Sequence, residues 1–254
     1  MGEVRIEAAD GVLTVTLADV DSRNALGARV VNGLHDAIAQ ANADPDIRAV
    51  VVTNEGTTFC AGANLKERSG AAKGDAPKVG FEELLGEIQQ SPTPILGKIR
   101  GHVVGGGNGL AAALDIAIAQ DDVKFGFTEV RLGVAPAIIS VVCLPKMRRG
   151  EALEAFLRGN RFSASKAAEY GLISRAVPAA ELDAALDEVL ADLRLGGPNA
   201  LGYAKRLVYE VPTMKPNEAF AWTSDLSGRL FEGAEAAAGM KAFLKREKPP
   251  WAED

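Results

Sequence analysis

The sequence predicts an α/β fold, on three observations. Apolar runs rich in β-branched residues alternate with segments whose apolar residues recur at helical spacing, as far as about Val177. Two strand-like runs lead into loops of very small residues, Ala61-Gly62-Ala63 and Gly105-Gly106-Gly107. Beyond Gly196-Gly197 the pattern is helical alone.

Taken in order, Val4 to Ala8 and Val12 to Leu17 read as strands, and Asp10-Gly11 between them is a hairpin turn signal. Val30, Val31, Leu34, Ala37, Ile38 and Ala41 line one face of a helix that Asp44-Pro45-Asp46 ends. Ala49 to Thr53 is a buried strand. Ser69 to Gly80, rich in Ala, Gly, Lys and Asp, reads as a mobile surface loop. Phe81, Leu84, Leu85 and Ile88 mark a helix stopped by Pro92 and Pro94. Pro94 to Ile99 is a strand leading to the glycine turn, and a helix follows to about Leu114. Ile116 to Ala119 and Val123 to Phe127 are strands joined by Asp121-Asp122.

From Ile138 helices dominate. Ser163 opens a short one that Gly171 ends. Leu172 to Val177 is the last strand, and Glu181 to Leu195 an amphipathic helix. Gly196-Gly197-Pro198-Asn199 breaks the chain, and three helices follow over Ala200–Val211, Glu218–Phe231 and Glu235–Arg246. We place a boundary here, giving a core over residues 1–195 and a helical region over 196–254. Strand-strand-helix units recur loosely.

The totals exclude several classes. A chain of 254 residues can bury one large core, or a core plus a helical appendage. Net charge of −6 argues against a general nucleic-acid binder. A local cation cluster can still serve an anionic ligand, and Arg23, Lys66 and Arg246 are the candidates. Two cysteines, Cys60 and Cys143, sit in apolar contexts and read as small core groups. Two histidines, His35 and His102, without a Cys or His cluster, give no expected metal site. No stretch has the length of a membrane span. Met1-Gly2-Glu3-Val4-Arg5 has no apolar leader, so a cytoplasmic protein is expected.

Adjacent glycines cost backbone entropy and supply no packing. Their return is close backbone approach, with N–H groups free to face an anion at a helix start. A second loop of Ala61, Gly62 and Ala63 supplies a like feature, with Lys66 beside it. Two such loops can aim two N–H groups at one oxygen, and losing one such donor typically costs about 10²–10³ in rate.

Phe59-Cys60-Ala61-Gly62-Ala63-Asn64-Leu65-Lys66 resembles the signature A-G-A-D-[LI]-K of the enoyl-CoA hydratase/isomerase (crotonase) superfamily. Gly105-Gly106-Gly107-Asn108-Gly109-Leu110-Ala111 is similar to its G-G-G-x-E-L-A segment. Phe125 to Gly133 is similar to F-x-x-[PT]-E-x-x-x-G, and Leu157 to Ile173 to its L-T-G…A-x-x-A-x-x-x-G-L-[VI] segment. Four segments in order, across nearly the whole chain, carry the resemblance. It implies a crotonase-like spiral of ββα units. It also implies a C-terminal helical region assembling homotrimers or dimers of trimers, and an acyl-CoA substrate without a further cofactor. No nucleic acid or membrane partner is implied.

By that resemblance Glu129 is the catalytic acid/base. From the residues alone, a carboxylate after an apolar strand is either a proton donor with a raised pKa or a surface partner of Arg131. The resemblance assigns the oxyanion hole to the N–H groups of Ala63 and Gly106. It assigns coenzyme A and substrate contacts to Ala61, Ala63, Asn64, Leu65, Lys66, Gly106 and Arg246. The chain departs from the pattern in three places. Asn64 stands for the usual Asp. Gly109 stands where two-glutamate hydratases carry their second acid, and is expected to leave that space open. Pro136-Ala137-Ile138-Ile139 replaces a glycine-rich segment with bulk that reshapes the acyl pocket, and together with Gly109 it resembles single-glutamate hydratases of branched esters such as the methylglutaconyl-CoA type. Asn108 is a candidate for orienting a water, and His102 a pocket acid/base or a structural histidine.

Other chemistries fail on spacing. Six residues from Gly105 the G-x-G-x-x-G fingerprint meets Leu110, no G-K-[ST] follows, and no G-x-S-x-G is present. Hydration of a 2-enoyl-CoA is the leading expectation. Δ3-Δ2 enoyl-CoA isomerisation, which needs only one proton shuttle, comes next. Acyl-CoA decarboxylation and non-catalytic acyl-CoA binding follow.

Overall fold

A computed structural model describes residues 4–70 and 76–252 of the chain. The first hairpin is β1 (Val4–Ala9) and β2 (Val12–Leu17), antiparallel about a turn with Asp10 and Gly11 both at positive φ. Next come α1 (Ala28–Ala43), β3 (Ala49–Asn54), β4 (Thr58–Cys60), the single-turn α2 (Leu65–Arg68) and α3 (Phe81–Gln90). Then follow β5 (Ile95–Ile99), β6 (His102–Val104) and α4 (Gly106–Ala113), and after them β7 (Ile116–Gln120) and β8 (Lys124–Gly126). A 3-10 turn over Thr128–Leu132 leads to α5 (Ala137–Cys143) and α6 (Arg149–Arg158). The remainder is β9 (Phe162–Ser163), α7 (Ala164–Glu169), β10 (Arg175–Val177), α8 (Leu182–Leu195), α9 (Pro198–Glu210), α10 (Pro216–Glu232) and α11 (Ala234–Lys245).

Two sheets organise this chain. The larger runs β1-β2-β3-β5-β7-β10, parallel after the first hairpin. The smaller runs β4-β6-β8-β9. Consecutive strands β3 and β4, β5 and β6, and β7 and β8 each place one strand in each sheet before a helix closes the unit. This repeated ββα step gives the spiral, as the resemblance implies.

The burial pattern follows from the pleat. Every residue of β3 is buried. Val50 and Val52 join a core built with α1, α3 and α4, while Ala49 and Val51 face Leu182, Leu186, Val189 and Leu190 of α8. Alternation puts successive side chains on opposite faces, so a strand covered on both sides reads as a continuous apolar run. Each of those α8 side chains contributes about 1.5–3 kcal/mol by leaving water, and together they anchor α8 across the sheet.

Several boundaries differ from expectation. The last strand is shorter than Leu172–Val177. Gly171 has φ +82°, and Leu172 and Ile173 plug the core before pairing begins at Arg175. Pro198 does not prolong the break but opens α9 at its first turn, where its missing N–H costs nothing. Residues 71–75 of the expected loop lie outside the described residues. Its Ala76–Lys78 flank is tied to α1, since Asn32 Nδ2 donates to Ala76 O (3.1 Å) and Lys78 N donates to Asn32 Oδ1 (2.7 Å). No helix among the described residues is long and apolar enough to cross a membrane.

The C-terminal helices bury little of themselves, with only Leu226 buried in α10 and Ala242 in α11. Polar ties bind the region to the rest. Arg48 donates to Gly196 O (2.7 Å) and Trp251 O (3.0 Å). Lys205 pairs with Asp115 at 2.8 Å in a nearly buried bridge and also donates to Ile88 O. Burial holds Asp115 above the usual carboxylate range and Lys205 below the usual amine range.

Candidate functional site

Two bends meet at the small sheet. In the first, β4 ends at Cys60, and Ala61 N donates to Arg23 O (3.1 Å). Gly62 turns at φ +84°, and its carbonyl accepts from Leu26 N (2.7 Å). Ala63 pairs with Leu26 as an isolated parallel bridge. In the second, β6 ends at Val104, and Gly105 takes φ +55°, ψ −127°, a region essentially reserved for glycine. Its N–H donates to Gly126 O (2.9 Å), and α4 begins at the next residue. Gly106 N is thus the first amide of a helix, without an intrahelical acceptor.

The bends touch backbone to backbone. A Cβ placed on Gly62 would lie 2.7 Å from Gly106 N, and one on Gly106 would lie 3.6 Å from Ala63 N. A Cβ on Gly107 would fall 2.5 Å from Cys60 O. Small residues are required on both sides because the main chains occupy the space that side chains need.

Glu129 arrives from β8. Pairing of Val103 with Phe125 and of Val104 with Gly126 sets β8 beside β6, so the 3-10 turn after β8 rises next to the glycine bend. A Cβ on Gly105 would lie 3.6 Å from Glu129 Oε1. Glu129 Oε2 is buried without a hydrogen-bond partner. Burial raises the carboxyl above its ordinary pKa, opposed in part by its own backbone N–H. An ion pair with Arg131, the alternative open in the sequence, is not among the described contacts of this carboxylate.

The other expected residues fall into three groups. Ala61, Ala63 and Gly106 sit at the meeting point of the bends. Leu65 and Lys66 lie exposed on the first turn of α2. Arg246 caps the far end of α11 at φ +59°, exposed, and no described hydrogen bond or ion pair joins it to the bends.

Asn64 is committed to local structure. Its Oδ1 accepts from Lys66 N (3.2 Å) and Glu67 N (3.4 Å), capping α2, and its Nδ2 donates to Glu67 Oε1 (2.8 Å). Glu67 Oε2 in turn accepts from Ala28 N (3.2 Å) at the start of α1. An Asp at this position could not make the bond to Glu67, which is a physical reason for the departure from A-G-A-D.

Asn108 is fully buried, and its Oδ1 has no hydrogen-bond partner among the described residues. Its Nδ2 donates to Gly105 O (3.0 Å) and Gly126 O (2.9 Å), stapling the glycine bend to β8. His102 Nδ1 accepts from Lys124 N (3.0 Å), the structural option. Cys60 and Cys143 are buried free thiols, and burial pushes Cys60 up to about 12 and raises Cys143 as well.

Gly109 corrects the sequence reading. The space beside it is not open. A Cβ there would overlap Ile139 Cγ2 and lie 2.7 Å from Ile139 Cβ. Ile139 is buried in α5, whereas Ile138 is exposed, so one of the two isoleucines faces the interior. Sequence reasoning also missed Asn24 and Leu26. Asn24 is fully buried, and its Nδ2 donates to Thr58 O (2.7 Å), holding β4 at the root of the first bend. The cluster Asp19 to Asn24, rich in turn residues, was the available signal.

The enoyl-CoA hydratase/isomerase family model matches residues 7–254. The chain belongs to the enoyl-CoA hydratase/isomerase family. Among curated relatives it is 29% identical to "Probable enoyl-CoA hydratase echA8" of Mycobacterium bovis, over 97% of this chain and 96% of that one. Among solved structures it is similar to an enoyl-CoA hydratase/isomerase from Marinobacter aquaeolei, with TM-score 0.90, 28% identity and 99% of each chain covered. It is also similar to AtuE of Pseudomonas aeruginosa, with TM-score 0.90 and 30% identity over 99% and 100% of the two chains. The family and the similar proteins together support a hydratase-type enzyme.

Proposed function

We propose that this chain hydrates a 2-enoyl-CoA thioester, with Glu129 as its one acid/base. The observation that carries the reading is the Glu129 carboxyl, with a buried unpartnered oxygen, held against the turn where the two bends touch. The Ala63 and Gly106 N–H groups donate to the thioester carbonyl oxygen as enolate charge develops, the moment at which such donors are worth most. Glu129 takes a proton from water as its oxygen adds to the β-carbon, and returns a proton to the α-carbon. A raised pKa suits it to both steps near neutral pH.

Ala61 and Leu65 offer the coenzyme surface beside the first bend, and Lys66 places a cation at its exposed rim. Arg246 contributes across a subunit boundary if the chain assembles as a homotrimer or dimer of trimers. Phe220, Phe231, Phe243 and Leu244 are exposed on the C-terminal helices and support self-association.

One observation favours a second reading, double-bond isomerisation. Ile139 closes the place beside Gly109 where a second acid would stand, and migration needs a single proton shuttle. Crotonyl-CoA hydration, followed at the enone absorbance with a 3-enoyl-CoA in parallel, separates the two. Glu129→Gln is expected to lower turnover of the active ester at least about 10³-fold while leaving CoA-ester binding intact. Unchanged turnover removes Glu129 from the mechanism. Binding of both esters without turnover of either points to decarboxylation or to a binding protein.

A further inference from the structure

Three glycines of the second bend and α4 have different neighbours on the side where a side chain would grow. Gly105 faces the Glu129 carboxyl, Gly106 faces Leu26 and the first bend, and Gly109 faces Ile139. Positions three apart on a helix share a face, so Gly106 and Gly109 look the same way out of α4. Ile139 therefore stands one turn along from the amide proposed to hold the thioester. Cys143, four residues on from Ile139 on the same face of α5, donates to Asn108 O through its thiol (3.7 Å) and is raised in part by the charge of Glu129. The inner face of α5 thus packs onto α4.

The fit between Gly109 and Ile139 is tight at the branch point, not at a movable tip. Both the overlapping Cγ2 and the Cβ belong to the stiff part of a β-branched side chain in a helix, which has little rotamer freedom with which to retreat. The pair has no polar atom in its side chains, so it offers a second water nothing to bind.

We propose that Ile139 is the specificity-determining residue of this site. Its branch fills the position beyond Gly109, excludes a second polar group and its water, and sets the partition between adding water to a bound enoyl thioester and moving its double bond. In addition, the water O–H bond breaks, oxygen bonds the β-carbon, and one proton reaches the α-carbon through Glu129. In migration, Glu129 removes a proton from the α-carbon of a 3-enoyl ester. The α,β double bond forms as the β,γ one is lost, and the proton returns to the γ-carbon. The second path needs no water, so an apolar wall hinders it less than it hinders addition. This inference rests on the assignment of Glu129 above.

The test measures both products, hydroxyacyl-CoA and conjugated enoyl-CoA, from 3-hexenoyl-CoA and crotonyl-CoA. It compares wild type, Ile139→Ala, Ile139→Val and Glu129→Gln. Opening the wall is expected to raise the ratio of hydration to migration about tenfold in Ile139→Ala and less in Ile139→Val, with KM for either ester little changed. A parallel stability cycle uses Gly109→Ala, Ile139→Ala and their combination, and the damage done by the first is expected to be relieved in the double variant. Equal loss of both activities in Ile139→Ala would show a packing role alone and overturn the proposal. So would a Gly109→Ala variant as stable as wild type. Wild-type protein that turns over neither ester, or a Glu129→Gln variant with full activity, would instead overturn the proposed function, and this inference with it.

Discussion

The two bends reach the same point by different means. The first, Ala61 to Arg68, is held at Ala61 to Ala63 by main-chain pairing with Arg23 and Leu26, and beyond that by polar side chains near solvent, with Asn64 and Glu67 capping one helix and bracing the start of another. The second, Gly105 to Gly109, is buried except at the half-buried Gly106, and is held by main chain, by the Asn108 amide and by the Cys143 thiol. The part held by side chains, Asn64 to Arg68, tolerates substitution with graded losses, because solvent and rotamers absorb the change. A bend held by contacts between main chains has no such slack.

The largest effect is expected where that slack is least. Gly107→Ala would gain about 1 kcal/mol of helix propensity. Against this, its Cβ would meet the Cys60 carbonyl at 2.5 Å, and neither α4 nor β4 can yield without disturbing the sheet. Overpacking of this kind typically costs about 1–3 kcal/mol, and more where backbone must move. We expect a net loss of about 2 kcal/mol in denaturant unfolding, the upper end of that difference, because backbone rather than a side-chain tip must move. A variant as stable as wild type would show that the bends do not touch.

In the first bend, Asn64→Asp tests the opposite regime. The cap is kept, since Asp serves as well as Asn there. The bond to Glu67 is lost and two carboxylates are set side by side. A loss of about 1 kcal/mol is expected, relieved by salt and by acid. Equal stability at neutral pH and low salt would mean that Glu67 does not depend on Asn64.

The same contrast explains what was legible in the sequence. The long elements were readable because Leu13 to Leu17, Val30 to Ala41 and Leu182 to Leu190 each carry a period of two or of 3.6. The second sheet was not. Thr58–Cys60, His102–Val104 and Phe162–Ser163 are too short to show a period, and Val103-Val104 read only as an approach to the glycines. Small residues announced both bends and the convergence of their N–H groups, but not the contacts by which one main chain lies against the other. Glu129 beside Gly105 follows from the pairing of β6 with β8, a long-range register that no local pattern encodes. Nor could contact between Gly109 and Ile139 be read in the sequence, where the two shared only a resemblance to one kind of site. Their meeting requires the packing of α4 on α5.

The smallest effect concerns Glu129 and gives the comparison a pH dependence. Its carboxyl is raised above the ordinary value because burial against the second bend penalises its charge. Between the unfolded and folded pKa values the native state holds a proton that the unfolded chain has released. Stability therefore falls as pH rises through that window, starting from the usual glutamate value of about 4.3. Above the window the full penalty of a buried charge remains. Glu129→Gln has no charge to bury, so it is expected to be more stable than wild type at neutral pH, and to lose that advantage as the medium is acidified. The Glu67 carboxylate accepts from Asn64 Nδ2 and Ala28 N, and Glu67→Gln weakens these charge-assisted bonds, so it is expected to bring no gain at neutral pH. Thermal unfolding of the two glutamine variants across pH would check both. A Glu129→Gln variant less stable than wild type at neutral pH would mean that the carboxylate is satisfied in its charged form, and so less ready to move a proton.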